Sequence, residues 1–386
     1  MKIYFIVYNI YGMGGTVKTT VNTVNYLVNN GYNVEVISLR RTSKEPLFKI
    51  DKKVKVTPLM DVRRGYLYSK NSIFFKKLIK KCLLSIPSLF MDKNEDLYKM
   101  FSLFSDIKLV SKLRKIKVGV VVTTIPSLNI ISTRVLRKNV IKIGQEHKPY
   151  DAHHKELQNR IKCNYDKLDV LTCLTDRDYN YYKNLNKNVF KIENGINLEP
   201  QKAKLDNKCI ISAGRFSNEK GFDMLLEAFS IVVKKHPDWK LVIFGEGKEK
   251  EKLKSIIIDK CIYNNVMLMP KSNKLSEEML EASMYVLSSR YESFGMVLLE
   301  AMTLGIPCVS YDCAGPKEII KDGEDGILVP EGDIEALAEG INNLIEDKNL
   351  RKNLGDKAKK DISRYSLEKI GDKWRYILNN ISKNIN

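Results

Sequence analysis

Ile3–Tyr8 is an unbroken apolar run, too short to cross a membrane and without alternating polar residues. Such a run suits a strand buried on both faces of a parallel sheet. Glycines follow it, then a stretch with helical spacing over roughly Lys18–Asn30, where Val21, Val24, Asn25, Leu27 and Val28 recur and Gly31 stands as a C-cap. Val34–Leu39, Val118–Val122, Val140–Gly144, Val170–Leu174 and Val189–Ile192 repeat the strand pattern. After Asn194-Gly195 and the polar stretch Pro200–Lys208 the rhythm restarts. Strands are predicted at Ile210–Ala213, Leu241–Phe244, Val266–Met269, Met284–Leu287, Pro307–Tyr311 and Ile327–Val329. Helices are predicted at Gly221–Lys234, Lys248–Asp259 and Phe294–Leu304. The strand–helix alternation predicts an α/β chain of two Rossmann-like, doubly wound domains facing across a cleft, 1–203 and 204–366. A last helix within 367–386, strongest over Leu367–Ile381, is expected to pack back on the first domain. Ligands in such sheets sit at the carboxyl ends of the strands.

The 386 residues suffice for two cores without metal or disulfide staples. Seven scattered cysteines with no C-x-x-C pair fit a reducing, cytoplasmic setting and no structural zinc. The start MKIYFIVYNIYG lacks the parts of a signal peptide, and no apolar run reaches the length of a spanning helix. Charge is uneven. Residues 1–200 hold 36 basic and 17 acidic residues, whereas residues 201–386 hold 29 of each, so the whole net charge of +19 sits in the first half. A polyanionic partner of that half is implied: nucleic acid, anionic lipid or an acidic polymer.

Gly12-Met13-Gly14-Gly15-Thr16-Val17-Lys18-Thr19-Thr20 nearly matches a phosphate-binding P-loop. Val17 replaces the glycine before Lys18, and a β-branched residue resists the backbone angles that close phosphate approach requires. The turn can instead present a helix N-terminus to another anion or a sugar. In the second half, Arg215 and Lys220 flank the loop after Ile210–Ala213, as cations suited to a pyrophosphate. Ser293 is a predicted N-cap for a helix beginning near Phe294-Gly295, whose amides and dipole would face a ligand. Glu292 and Glu300 lie too far apart to share a proton but fit two ends of an extended ligand, such as a sugar ring and a ribose.

Arg215, Lys220 and the E-x7-E pair Glu292/Glu300 resemble the signature of family 4 retaining glycosyltransferases of the GT-B fold, the bacterial cell-envelope polysaccharide and teichoic-acid type. The resemblance extends through Gly245-Glu246-Gly247, Gly305-Ile306-Pro307, Gly315-Pro316-Lys317-Glu318-Ile319-Ile320 and Asp325-Gly326-Ile327-Leu328-Val329-Pro330. It is looser in the first half, through Gly14-Gly15 and Asn194-Gly195-Ile196-Asn197. By that resemblance Arg215 and Lys220 bind the donor diphosphate. Glu292 and the amides of Phe294, Gly295 and Met296 hold the donor sugar, and Glu300 the ribose. Gly245, Met269 and Pro270 lie near the donor, and Gly14 and Gly15 face the donor phosphate or the acceptor. His147, in Gln145-Glu146-His147, is the candidate catalytic histidine, with His153 and His154 as rivals. The glycine loop departs from the family, reading Thr16-Val17-Lys18 where many members carry an acidic residue or Arg.

The expected activity is retaining transfer of a hexose or N-acetylhexosamine from a nucleotide-sugar, UDP-linked, to a cell-envelope glycan, lipid-linked sugar or teichoic-acid-like polymer. No cofactor or metal is expected. Asp176-Arg177-Asp178 matches a D-x-D metal motif but reads as a helix start, with Thr175 as N-cap. A GT-B epimerase or phosphorylase is the alternative enzyme, and a basic nucleic-acid binder the alternative from another class, although no nucleic-acid-binding motif is present. Ile73–Ile86 reads as an amphipathic helix with Phe75, Leu78, Ile79, Cys82 and Ile86 on one face and Lys76, Lys77, Lys80 and Lys81 on the other. It fits either a core-facing surface helix or an anionic membrane surface at the inner face of the cell membrane.

Overall fold

The computed structural model describes residues 1–63 and 74–383. Its contacts divide the chain into two units, Met1–Gly195 with Leu367–Asn386, and Ile196–Ser366. The first contains the strands β1 (Lys2–Val7), β2 (Asn33–Arg41), β3 (Lys55–Asp61), β4 (Gly119–Thr123), β5 (Val140–Gln145), β6 (Val170–Cys173) and β7 (Val189–Lys191). They form one parallel sheet in the order β3-β2-β1-β4-β5-β6-β7. The second contains β8 (Cys209–Ala213), β9 (Lys240–Phe244), β10 (Val266–Met269), β11 (Met284–Leu287), β12 (Cys308–Tyr311) and β13 (Ile327–Val329). Their order is β10-β9-β8-β11-β12-β13, again parallel. Both units therefore wind outward from a central pair, β1/β4 and β8/β11, which fixes the carboxyl ends of those pairs as switch points.

The continuous apolar runs sit where both faces are covered. Every residue of β4, β5, β11 and β12 is buried. In the second unit the helix Phe222–Lys235 presents Phe222, Leu225, Leu226, Phe229 and Val232 to the sheet, the i, i+3, i+4 spacing of a single buried stripe. Truncating a fully buried ring such as Phe229 would cost about 3–5 kcal/mol. β3 was not legible in the sequence because Pro58 interrupts its run. The strand tolerates it by lying at the sheet edge, paired in this sheet only with β2. Glu35 of β2 is buried and accepts hydrogen bonds from Lys112 (2.7 Å) and Thr57 (2.8 Å), with Lys2 at 2.8 Å. Burial raises its pKa, but those partners outweigh it and bring it to about 2.

The unit boundary falls at Gly195/Ile196 rather than at 203/204. Ile196 N donates to Tyr365 O (2.9 Å) and Ala203 N to Leu304 O (2.9 Å), so the polar stretch is tied into the second unit and is not a free linker. Gly195 O instead accepts from Asn22 Nδ2 in the first unit. The helix Leu367–Lys383 belongs to the first unit: Trp374 is buried with its ring 6.1 Å from that of Phe5, and Tyr26 Oη donates to Asp372. A Cβ on Gly371 would lie 2.2 Å from the Tyr26 ring, which is why this turn of helix needs glycine. Among the described residues no helix is long and apolar enough to cross a membrane.

Candidate functional site

The loops that leave β8 and β11 emerge side by side at the second unit's switch point. Lys220, after β8, and Glu292, after β11, meet there: Nζ donates to Oε2 at 2.6 Å, with both side chains largely buried. Two devices hold the lysine in place. Gly221 has φ +60°, and a Cβ there would lie 2.0 Å from Ser288 O. Ser288 Oγ also donates to Lys220 O. Arg290 clamps the same loop, with Nη1 donating to Asn218 O (2.7 Å) and the guanidinium pairing bidentately with Asp223 (2.8 and 3.0 Å). Burial raises the Asp223 pKa, but the bonds from Arg290 and Lys252 outweigh it and bring it to about 2. Arg215 stays apart from this pair. It is exposed and approaches Glu219 at 3.9 Å.

The helix after Glu292 runs Met296–Thr303 and starts later than expected. Its N-cap is Gly295, not Ser293, and no side chain caps it. Gly295 adopts φ +102°, which a residue with a Cβ adopts only with strain, so the turn is set by backbone rather than by a serine hydroxyl. Gly315 packs against this turn: a Cβ there would lie 2.6 Å from the backbone of Phe294, and Gly315 N donates to Glu292 O. The Phe294 and Met296 side chains are buried, Phe294 edge-on to Tyr365 at 5.5 Å, so these side chains do not face a ligand. Glu300 is partly exposed one turn into the helix. Gly245 lies against β8, where a Cβ would be 2.0 Å from Gly214 O, and Met269 O accepts from its amide. Met269 and Pro270 are exposed beside it.

In the first unit the helix Gly15–Asn29 begins directly after Gly14, with no acidic residue in its first turn. The three candidate histidines separate. His154 is exposed and caps the helix Lys155–Lys162, its Nδ1 accepting from Glu156 N. His153 is buried, with Nε2 3.5 Å from the Glu146 carboxylate. Glu146 itself accepts from Asn129 (2.8 Å) and Tyr165, so His153 serves a packed polar cluster. His147 lies after β5, and its Nε2 is buried with no hydrogen-bond partner. Burial lowers its pKa to about 4, so the ring is neutral at pH 7. Asp176-Arg177-Asp178 is a helix start: Thr175 Oγ1 accepts from Asp178 N (3.1 Å), Asp178 accepts from Tyr150 N, and Asp176 pairs with Lys191 (2.7 Å). Among the described residues no group of three His, Cys, Asp or Glu side chains is placed to hold a metal ion.

The family model of glycosyl transferases group 1 matches residues 196–361, the span of the second unit. Residues 196–361 belong to the glycosyl transferases group 1 family. Over almost the whole chain, the protein is 31% identical to an exopolysaccharide phosphotransferase of Streptomyces coelicolor, covering 97% of this chain but 40% of that one. It is 28% identical to the amylovoran biosynthesis glycosyltransferase AmsD of Erwinia amylovora, covering 98% and 99% of the two chains. A mutant of S. aureus TarM, solved with fondaparinux, alpha-GlcNAc-glycerol and UDP, superposes with a TM-score of 0.79 at 20% identity over 98% of this chain and 99% of that one. That likeness establishes the GT-B fold.

Within the group 1 unit, Lys220, Glu292 and Gly295 are residues the sequence motifs singled out. The motifs grouped Lys220 with Arg215 and Glu292 with Glu300, and did not indicate that Lys220 meets Glu292. Nor did they indicate the Arg290–Asp223 clamp. The two residues are 67 apart and neither stands in a recognisable spacing, so only the fold reveals that they brace the Lys220 loop. An ammonium, a carboxylate and the N-terminal end of a helix at one switch point can hold a ligand that carries both anionic charge and hydroxyl groups.

Proposed function

We propose that the protein is a retaining, metal-independent glycosyltransferase that moves a hexose or N-acetylhexosamine from a UDP-sugar to a cell-envelope glycan, lipid-linked sugar or teichoic-acid-like polymer. The observation that carries this reading is the Lys220–Glu292 pair at the switch point of the group 1 unit. Lys220 is neutralised by Glu292 until a donor arrives; the diphosphate then takes the ammonium and the sugar hydroxyls take the carboxylate. Arg215, exposed and loosely paired, is free to swing to the same diphosphate. In the reaction the anomeric C–O bond to the diphosphate breaks and its electron pair leaves with the phosphate oxygen. The acceptor hydroxyl attacks the same face and its proton passes to that departing oxygen. Lys220, Arg215 and the amides of Phe294, Gly295 and Met296 stabilise the growing charge, which is the work a metal would otherwise do. His147 offers its unpartnered Nε2 to the transferred sugar, and Glu300 takes the ribose. The TarM complex with UDP and the relatives named for exopolysaccharide and amylovoran support the donor and acceptor classes. Seven unpaired cysteines and a nucleotide-sugar donor suit a cytoplasmic enzyme.

The test is product analysis in EDTA, with UDP-, GDP- and ADP-sugars offered in turn. Transfer from the UDP-sugar without added metal, giving a product of the donor's own anomeric configuration, is expected. Inversion, or strict dependence on magnesium or manganese, contradicts the mechanism.

A further inference from the structure

The helix Phe74–Ser85 turns its apolar stripe away from the protein. At 100° per residue, Leu78, Cys82, Ile86 and Ile79 fall within an arc of about 100°. All four are exposed, Leu78 at 48%, Ile79 at 45% and Ile86 at 41%. The opposite side is the one that meets the fold. Leu83 and Leu84 are half-buried there, and the Lys80 ammonium lies 5.4 Å from the centre of the Phe104 ring, where burial lowers its pKa. This is the reverse of a core-facing surface helix. Ile73 lies outside the described residues, as do the side chains of Phe75, Lys76 and Lys77.

The apolar surface continues into the next turn, where Leu89 is 73% and Phe90 42% exposed. That turn is held firmly. The buried carboxylate of Asp106 accepts from Ser88 Oγ (2.7 Å), Leu89 N (2.8 Å) and Phe90 N (3.3 Å), and Leu103 N donates to Ile86 O. A fixed backbone therefore presents two large apolar side chains to water. Lys81, Lys93, Lys99 and Lys108 of the same segment are exposed, Lys108 with its ammonium 5.5 Å from the centre of the Phe104 ring. Between residues 74 and 118 there are 11 Lys and Arg against four acids. Asp92, Glu95 and Asp106 are buried, and Asp96 is paired with Lys148.

We propose that Leu78, Ile79, Ile86, Leu89 and Phe90, in a segment rich in exposed lysines, form a docking surface for an anionic phospholipid bilayer. Only such a partner answers both halves of the surface, negative charge for the lysines and apolar depth for the side chains. A soluble polyanion would leave the five apolar groups wet. A second copy of this chain would set lysine against lysine. The inference concerns where the enzyme works and stands independently of the sugar-transfer reading.

The full chain is spun with vesicles of phosphatidylcholine containing phosphatidylglycerol, and with phosphatidylcholine alone. Binding to the first, weakened by salt, and little binding to the second are expected. Replacing Lys81, Lys93, Lys99 and Lys108 by Ser should lower the partition coefficient by about fivefold per lysine in full contact. The triple variant Leu78→Ser, Leu89→Ser, Phe90→Ser should lower it at least tenfold while the melting temperature and transfer to a soluble acceptor stay unchanged. Equal binding to both vesicle types, no binding by the unaltered protein, or unfolding of the triple variant overturns the proposal. So does a concentration-dependent dimer in sedimentation equilibrium that the triple variant loses.

Discussion

The two units share a winding and differ in how they carry chemistry. In the second, Ile196–Ser366, 25 basic residues stand against 28 acidic ones, and the polar groups at the switch point are already paired, Lys220 with Glu292 and Arg290 with Asp223. In the first, the whole excess charge is present, His147 keeps a buried nitrogen without a partner, and an apolar stripe faces water. One unit sets its cations and carboxylates in mutual pairs within a rigid frame. The other leaves basic and apolar groups exposed. The difference explains why the second unit matches a family model over its length whereas the first is marked only by loose glycine and histidine positions.

The largest effect expected is at Lys220. Lys220→Ala should lower kcat by about 100-fold or more, because the charge it opposes grows in the transition state, and should leave the fold intact. The matching change in the first unit, Lys18→Ala, should lower kcat by less than about threefold in steady-state assays. Comparable losses would mean that the first unit's glycine turn also grips phosphate, and the contrast between the units would fail.

Gly221→Ala combines a left-handed φ with a Cβ 2.0 Å from Ser288 O, so a loss of about 3 kcal/mol or more in denaturant unfolding is expected, together with displacement of Lys220. Gly332→Ala, at φ +80° with nothing near its Cβ, should cost about 1 kcal/mol. Similar losses would show that the site loop is not under the constraint described.

Acid should weaken both units over one window. Glu35 in the first and Asp223 in the second have native pKa values of about 2, below the unfolded values of about 4. The unfolded chain therefore binds more protons as pH falls. The stability from each carboxylate is complete above about pH 4.5 and is lost as pH drops through about 2. Melting curves from pH 5 to 2 should show this decline, and Glu35→Gln should flatten the first unit's share. An unchanged slope would remove the Lys2–Glu35–Lys112 pairing from the account.

Much of this was readable beforehand, for identifiable reasons. Parallel strands buried on both faces leave continuous apolar runs, so twelve of the thirteen strands among the described residues, all but β3, stood out within a few residues of their observed ends. β3 hid because Pro58 and its half-exposed edge position break that pattern. Lys220 and Glu292 were legible as a cation and a carboxylate in motifs at the carboxyl edge of the sheet, and Gly295 because close backbone approach favours glycine. The Ser293 cap was misread because a positive φ at Gly295 does the same job without a hydroxyl. The Arg290 clamp and the outward stripe of Phe74–Ser85 depend on which distant element lies opposite, and no local pattern contains that.

The smallest effect lies at His147. Its ring should stay neutral down to a pH of about 4, so among the four histidines it should titrate well below the usual range near 6.5 in an NMR pH series, and pH–rate profiles between 5 and 8 should show no break from it. A midpoint near 6.5 would place His147 in water rather than in a buried pocket.

The central claim is that the Lys220–Glu292 pair opens to receive a nucleoside diphosphate. Titration calorimetry of UDP into the intact protein and into Lys220→Ala measures this directly. The account predicts saturable binding to the first and at least a tenfold weaker Kd for the second, with unchanged melting temperature. Equal affinity in the two proteins would contradict it, because the diphosphate would then be held somewhere other than the switch point between β8 and β11.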